Sequence, residues 1–169
     1  SYIPARLEEG YGLNPLAIDT LKKQGVQLIV TVDCGITANA EAELCRELGI
    51  DLVITDHHEC KTALPEAAAI VDPHRPDQTP GPLHELAGVG VAFKLACAIG
   101  GDQAALLDRF SDLLCLGTVA DVMPLTGENR TMVARGLAAL AKPRRVGLAA
   151  LMAECGTGRQ PVTAGTIGY

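Results

Sequence analysis

Short apolar runs alternate with helical stripes along this 169-residue chain, and the apolar runs share an ending: each leads into an acidic or imidazole group. Val26 to Val32 (V-Q-L-I-V-T-V) runs into Asp33, Leu52 to Thr55 (L-V-I-T) into Asp56-His57-His58, and Leu113 to Ala120 (L-L-C-L-G-T-V-A) into Asp121. The first two runs are rich in β-branched residues and read as buried parallel strands. Between them Thr37 or Asn39 is placed to cap a helix that stops at Gly49, with Ala40, Ala42, Leu44, Cys45 and Leu48 available for its inner face. Residues 26–55 therefore read as a βαβ unit. Upstream, Asn14-Pro15 predicts a helix start, with Asn as cap and Pro at the first helical position, running to about Gln24 and stopped by Gly25.

The remaining pattern fills in the class. The opening Y-I-P-A-R predicts a short strand followed by a loop, and Ala67 to Val71 a third strand. Residues 72–83 carry Pro73, Pro76, Pro80 and Pro82 without periodicity and read as a loop. From Ala87 onward the spacing is helical, over roughly 88–99, 102–117, 129–141 and 145–155. The expected class is α/β: a parallel sheet flanked by helices, with a helix-rich C-terminal half.

Composition narrows the field. Hydrophobic residues make up 48% and aromatics 3%, with no Trp, so a folded chain must build an aliphatic core. No apolar run approaches the roughly 18–20 residues of a membrane span, and S-Y-I-P-A-R lacks the apolar centre of a signal peptide. Six cysteines stand singly with no C-x-x-C pair, which argues for a reducing cytoplasm and against a disulfide framework or a structural zinc site. A net charge of −6 gives nucleic-acid binding no support, yet a basic groove can sit on an acidic protein. The start at Ser1 without Met, and the end at T-I-G-Y, suggest a fragment of something longer.

Carboxylates and imidazoles brought to one rim of a sheet are what a divalent metal site needs, and ligands of open α/β sheets bind outside the carboxyl ends of the strands. In Asp56-His57-His58 one imidazole is read as a metal ligand and the other as a contact to a substrate phosphate. Asp56 is placed to accept an imidazole N–H. The plainer alternative is two exposed loop histidines beside a capping Asp. Asp33 is equally suited to cap the following helix. Asp121 has apolar flanks, and a buried carboxylate there needs a cation or hydrogen bonds. Gly88-Val89-Gly90 opens a helix without completing a dinucleotide fingerprint, since Phe93 takes the third glycine position; close packing of helix on sheet is its expected use. His74 and His84 read as surface residues. Arg6, Arg130, Arg144 and Arg145 are potential phosphate contacts.

In order along residues 2–130, the segments Y-I-P-A-R-L-E-E-G-Y-G-L-N, L-I-V-T-V-D-C-G-I, V-I-T-D-H-H, V-D-P-H-R-P, L-A-G-V-G-V-A-F-K-L and L-G-T-V-A-D-V-M-P-L-T-G-E-N-R resemble the DHH phosphoesterase superfamily. Within it they are most similar to the RecJ-type single-strand-specific exonucleases. The resemblance implies a core of a DHH domain over residues 1–130 and a helical continuation over 131–169. It implies two divalent ions, Mn2+ or Mg2+, with Asp33 between them and His57 and Asp121 as further ligands. His58 would contact the scissile phosphate with Asp56 behind the histidines, and Arg6 and Arg130 would touch substrate. The implied substrate is single-stranded DNA, degraded from its 5′ end in repair and recombination, with single-strand-binding protein or other repair proteins as partners. Family members carry a further D-x-D-A-D-G-like motif upstream, absent from this chain, so the chain alone is expected to be inactive. Within the superfamily, a phosphodiesterase of short oligonucleotides or cyclic dinucleotides is the alternative; a non-catalytic RecJ-like scaffold is another.

Overall fold

Asn14 opens the first helix as its sequence predicts: its side-chain oxygen accepts the Ala17 N–H at 2.8 Å and Pro15 takes the first helical position. The computed structural model describes residues 1–5, 7–61, 63–156 and 161–168. They fall into two units, Ser1–His84 and Glu85–Tyr169.

The first unit contains α1 (Pro15–Lys23), β1 (Leu28–Val32), α2 (Asn39–Glu47), β2 (Asp51–Thr55) and β3 (Ala69–Val71). The three strands are parallel, in the order β1-β2-β3. Their register sets where the chain leaves the sheet: Val32 pairs with Thr55, and Thr55 with Val71, so all three strands end level. Ile18 of α1, Ala42 and Cys45 of α2, and Ile29, Leu52 and Ile54 of the sheet form one core with Ile50. Each buried Ile or Leu contributes about 1.5–3 kcal/mol.

Several expectations need correction in this unit. Residues 2–5 form no strand; the segment is a loop in which Ala5 N–H donates to Glu9 at 3.1 Å and the Tyr2 hydroxyl donates to the same carboxylate. β1 starts at Leu28, and only one of its faces is buried: Ile29 and Thr31 point in, while Leu28, Val30 and Val32 are exposed. A continuous apolar run cannot by itself distinguish one covered face from two. Neither Thr37 nor Asn39 caps α2, whose N-cap is Ala38, and Ala40 lies on the outer side.

The second unit is helical throughout its described residues: α3 (Gly88–Gly100), α4 (Gln103–Ala120), α5 (Gly127–Leu140), α6 (Val146–Glu154) and α7 (Ala164–Ile167). Asp102 caps α4 by accepting the Ala105 N–H at 3.0 Å. The packing of α4 on α5 depends on one residue, because a Cβ at Gly136 would lie 2.2 Å from both the Cys115 Cβ and the Ser111 carbonyl oxygen. Cys115, Val133 and Leu140 form the core there, and Leu86, Val91, Phe93, Leu114 and Met132 form a second. Gly90 is buried, and its bare face meets the Leu86 side chain of its own unit. The run from Leu113 to Ala120 is the last part of α4 and not a strand. Asp121 is the C-cap of that helix and is exposed, which corrects the expectation of a buried carboxylate. No helix among the described residues is long and apolar enough to cross a membrane.

Candidate metal centre at the carboxyl edge of the sheet

Because the strands end level, the next residue of each leaves the sheet at the same edge, and all three are aspartates: Asp33, Asp56 and Asp72. The ladder extends one step past the ends of β1 and β2, with Asp33 N–H donating to the Thr55 carbonyl at 3.0 Å and Asp56 N–H to the Val71 carbonyl at 3.1 Å. Beyond that point the three carboxylates have different surroundings.

Asp33 is exposed and sits at φ 64, a left-handed conformation that a non-glycine residue adopts only where its surroundings hold it. The holding groups are visible. Thr31 Oγ1 donates to the Cys34 carbonyl at 2.7 Å, Gly35 follows at φ 112, and the Tyr11 hydroxyl donates to the Asp33 carbonyl at 2.6 Å. The turn presents Asp33 Oδ1 at 3.1 Å from His57 Nε2. Asp33 caps no helix, since α2 begins at Asn39 behind Ala38.

Asp56 is buried and acts as the internal frame. Its Oδ2 accepts the Ile36 N–H at 2.9 Å, while Oδ1 accepts the His57 N–H at 2.8 Å and lies 2.6 Å from His58 Nδ1. Burial alone would raise its pKa, but the Ile36 N–H, the His58 imidazole and the His57 N–H together hold it below the ordinary carboxylate range. An ionised Asp56 binds the Nδ1 side of His58 and so directs the Nε2 side outward. His57 is buried and His58 half-exposed, with ring centroids 4.5 Å apart. The plainer reading of two exposed loop histidines therefore fails for His57.

Asp33, His57 and His58 each offer one ligand atom, and these atoms lie within 4.8 Å of one another; no other such group occurs among the described residues. One carboxylate oxygen and two imidazole nitrogens, set on a rigid sheet edge, suit a divalent transition-metal cation, manganese among them, better than magnesium, which prefers oxygen ligands throughout. Thiolate chemistry does not fit. Burial, with Asp56 and Asp33 adding to it, pushes the Cys34 thiol up, and burial beside Asp72 pushes Cys60 up to about 11. All six cysteines are free.

The sequence pattern missed two residues. Asp72 follows β3 as Asp33 follows β1, and it is 3% exposed with an Oδ2 atom lacking a hydrogen-bond partner. Burial raises its pKa and the Asp56 charge adds to that, against the His74 N–H that donates to it at 2.7 Å. His74 is not a surface residue: its side chain is 11% exposed and packs edge-on against His84 with centroids 4.1 Å apart. The signal was present in the V-D at 71–72, a third apolar strand ending in an acid. Tyr11, which also lies edge-on to His58 at 6.5 Å, was legible only as the centre of E-G-Y-G-L, where Gly10 and Gly12 both take positive φ. Of the other predicted site residues, Asp121 and Arg130 belong to the second unit. Arg130 is exposed on the first turn of α5, and Asp121 is followed by Val122 at φ 57, a conformation rare for a β-branched residue. Arg6 lies outside the described residues.

Known proteins are similar to this chain in sequence and fold. The family model described as "DHH family, N-terminal domain" matches residues 1–118. The single-stranded-DNA-specific exonuclease RecJ of Bacillus subtilis (strain 168) is 46% identical over 168 residues, covering 99% of this chain and 21% of that protein. The RecJ of Escherichia coli (strain K12) is 39% identical, again over 99% of this chain and over 31% of its own length. A crystal structure of exonuclease RecJ bound to manganese superposes with a TM-score of 0.79 at 35% identity, covering 99% of this chain and 42% of that one. A second, of RecJ from Thermus thermophilus in complex with Mn2+, gives 0.69 at 33% identity over 90% of this chain and 23% of that one. The chain thus spans between a fifth and a third of the curated relatives it matches.

Proposed function

Since the chain belongs to the DHH family, in its RecJ branch, we propose that it supplies metal-binding and phosphate-contacting residues for the hydrolysis of phosphodiester bonds in single-stranded DNA, acting from the 5′ end. The observation that carries the reading is the Asp33–His57–His58 group, with Asp33 Oδ1 at 3.1 Å from His57 Nε2, on a chain this similar to manganese-bound RecJ. Bound manganese or magnesium supplies charge neutralisation at the phosphate and an activated water.

The chain's own residues have separable tasks. Asp33 offers carboxylate oxygen from a turn whose backbone is fixed by Thr31, Gly35 and Tyr11. His57 offers imidazole nitrogen from a buried position, which limits its rotation. His58, with Nδ1 on Asp56, keeps Nε2 for an oxygen of the scissile phosphate. Asp56 positions both histidines and the Ile36 amide without touching substrate. We assign Asp121 the role of a further acidic ligand, and Arg130 and Arg6 substrate contacts, on their motifs alone. Single-stranded DNA as substrate, and repair proteins as partners, are part of the same proposal.

The test is cleavage of a 5′-phosphorylated single strand with manganese, by a protein of full RecJ length carrying these residues, alongside its Asp33→Ala and His57→Ala variants. Loss of cleavage in both is the expected result. Undiminished cleavage by either ligand variant, or equal cleavage of duplex and single strand, overturns the reading.

A further inference from the structure

The second unit contains a groove of about 1180 Å³, lined by the N-terminal half of α4, the C-terminal half of α5 and the turn into α6. Its charge is unlike the rest of the chain. Five of the fourteen Lys and Arg residues line it (Arg109, Arg135, Lys142, Arg144 and Arg145) against two carboxylates.

Both carboxylates are already engaged: Arg135 Nη1 lies 3.0 Å from Asp108 Oδ1, and Arg145 Nε 2.9 Å from Asp112 Oδ2. Arg109, Lys142 and Arg144 are exposed and have no carboxylate partner among the described residues, so the groove carries a surplus of three positive charges. The guanidiniums are also ordered. Arg145 Nη2 donates to the Arg109 carbonyl at 2.8 Å, and Arg145 and Arg109 both lie over the Phe110 ring, at 5.5 and 5.3 Å from its centroid. Four small residues, Ala105, Ser111, Ala138 and Ala139, make up the rest of the lining, so no bulky side chain fills the space between the charges.

We infer that this groove binds the sugar-phosphate backbone of a single nucleic-acid strand, at a place in the second unit apart from Asp121. On α4, Arg109 precedes Asp121 by twelve residues, about 18 Å at 1.5 Å per residue. Fixed guanidiniums match phosphate oxygens in geometry as well as charge. An acidic peptide shares the charge, but peptide recognition draws its energy from apolar anchors in pockets, and the one aromatic ring here is covered by two arginines. Phosphate contacts need no such anchor and draw on counterion release. The inference rests on the proposed substrate class and adds a second contact region to it.

The test is fluorescence anisotropy of this chain with a labelled oligothymidylate over a salt series. Lys142→Ala/Arg144→Ala is compared with Lys23→Ala/Arg46→Ala, which removes the same charge from exposed positions of the first unit. The groove variant is expected to lose about tenfold or more in affinity and to lower the slope of log K against log salt by about 1.4, or 0.7 per phosphate contact. The control is expected to stay within about twofold of wild type, because contacts and not net charge decide binding. Lys142→Gln/Arg144→Gln, which keeps a polar side chain without the charge, must repeat the loss, with an unchanged melting curve. Equal losses in groove and control variants overturn the inference. So does competition by oligoglutamate as strong as by unlabelled oligothymidylate, which would make the groove a peptide site. Manganese calorimetry separates this from the nuclease reading: the groove variants keep wild-type manganese affinity, whereas Asp33→Ala loses it and keeps oligothymidylate affinity.

Discussion

The two units of this chain divide charge and packing between them in opposite ways. Residues 1–84 carry thirteen carboxylates against six basic groups, while residues 85–169 carry seven against eight. The acidic unit places three of its carboxylates, Asp33, Asp56 and Asp72, at a sheet edge where backbone amides and imidazoles order them. The other unit is a set of helices held by close approach, at Gly136 above all, and its positive charge gathers in one groove. Chemistry is thus concentrated where strands end and the backbone bends, and stability where helices touch without side chains between them. A substitution in the first unit should read out mainly in metal handling, and one at the helix crossing mainly in melting temperature.

The sharpest way to break this contrast is at Asp33. Asp33→Ala is expected to lower cleavage in a full-length RecJ form about a thousandfold, roughly 4 kcal/mol of transition-state stabilisation. It should abolish manganese binding in calorimetry while shifting the melting temperature little, because the side chain is exposed. If it unfolds the chain, the division between units is wrong. Gly136→Ala should do the reverse. A methyl group placed 2.2 Å from a backbone oxygen forces α4 and α5 apart, at about 3 kcal/mol measured by denaturant titration. The part of the manganese affinity that Asp33 and the histidines supply should persist wherever the first unit remains folded.

Asp56→Asn comes next, since it touches both properties. The amide cannot accept everything that Asp56 accepts from Ile36, His57 and His58. A loss of about 1–3 kcal/mol in stability is expected for the unsatisfied groups, with about 10–100-fold in manganese affinity through misplaced histidines. The smallest effect, and the one most telling about the site, is Asp72→Asn. This carboxylate is buried with one oxygen unpartnered, so replacing it should leave stability at neutral pH unchanged or slightly higher.

The same two residues predict opposite pH slopes. Asp56 has a lowered folded pKa, so its contribution to stability is present above the unfolded value of about 3.9 and is lost as pH falls through the folded value. Asp72 has a raised folded pKa, so its ionised form weakens the fold, and that penalty disappears as pH falls through the raised value. Urea titrations of wild type, Asp56→Asn and Asp72→Asn across the acid range separate the two. Slopes of the same sign would contradict the assignment of the frame to Asp56.

What the sequence makes legible depends on what periodicity measures. The Asn14-Pro15 cap, the βαβ unit and the helix-rich second half are encoded locally, and they appear within a few residues of their predicted bounds. Asp33, Asp56 and the paired histidines stood out because strand ends are local as well. Asp72 did not, because the Pro-rich segment after it has no period, and its burial depends on the register of β3 against β2. Asp121 was expected to be buried because its flanks are apolar, and its exposure at the C-cap of α4 is set by neighbours that those flanks do not report. The exposed face of β1 and the pairing of His74 with His84 are likewise matters of tertiary neighbours, which an apolar run or an isolated imidazole does not report.

The left-handed turn at Asp33 sets folding and function against each other at a single codon. Glycine adopts φ 64 without the Cβ penalty that an aspartate bears. Selection for thermostability alone would therefore favour Asp33→Gly, and such a variant is expected to melt at or above the wild-type temperature while losing its carboxylate. A stability-driven redesign of this chain would remove the proposed ligand first, so position 33 must be held fixed in any such effort.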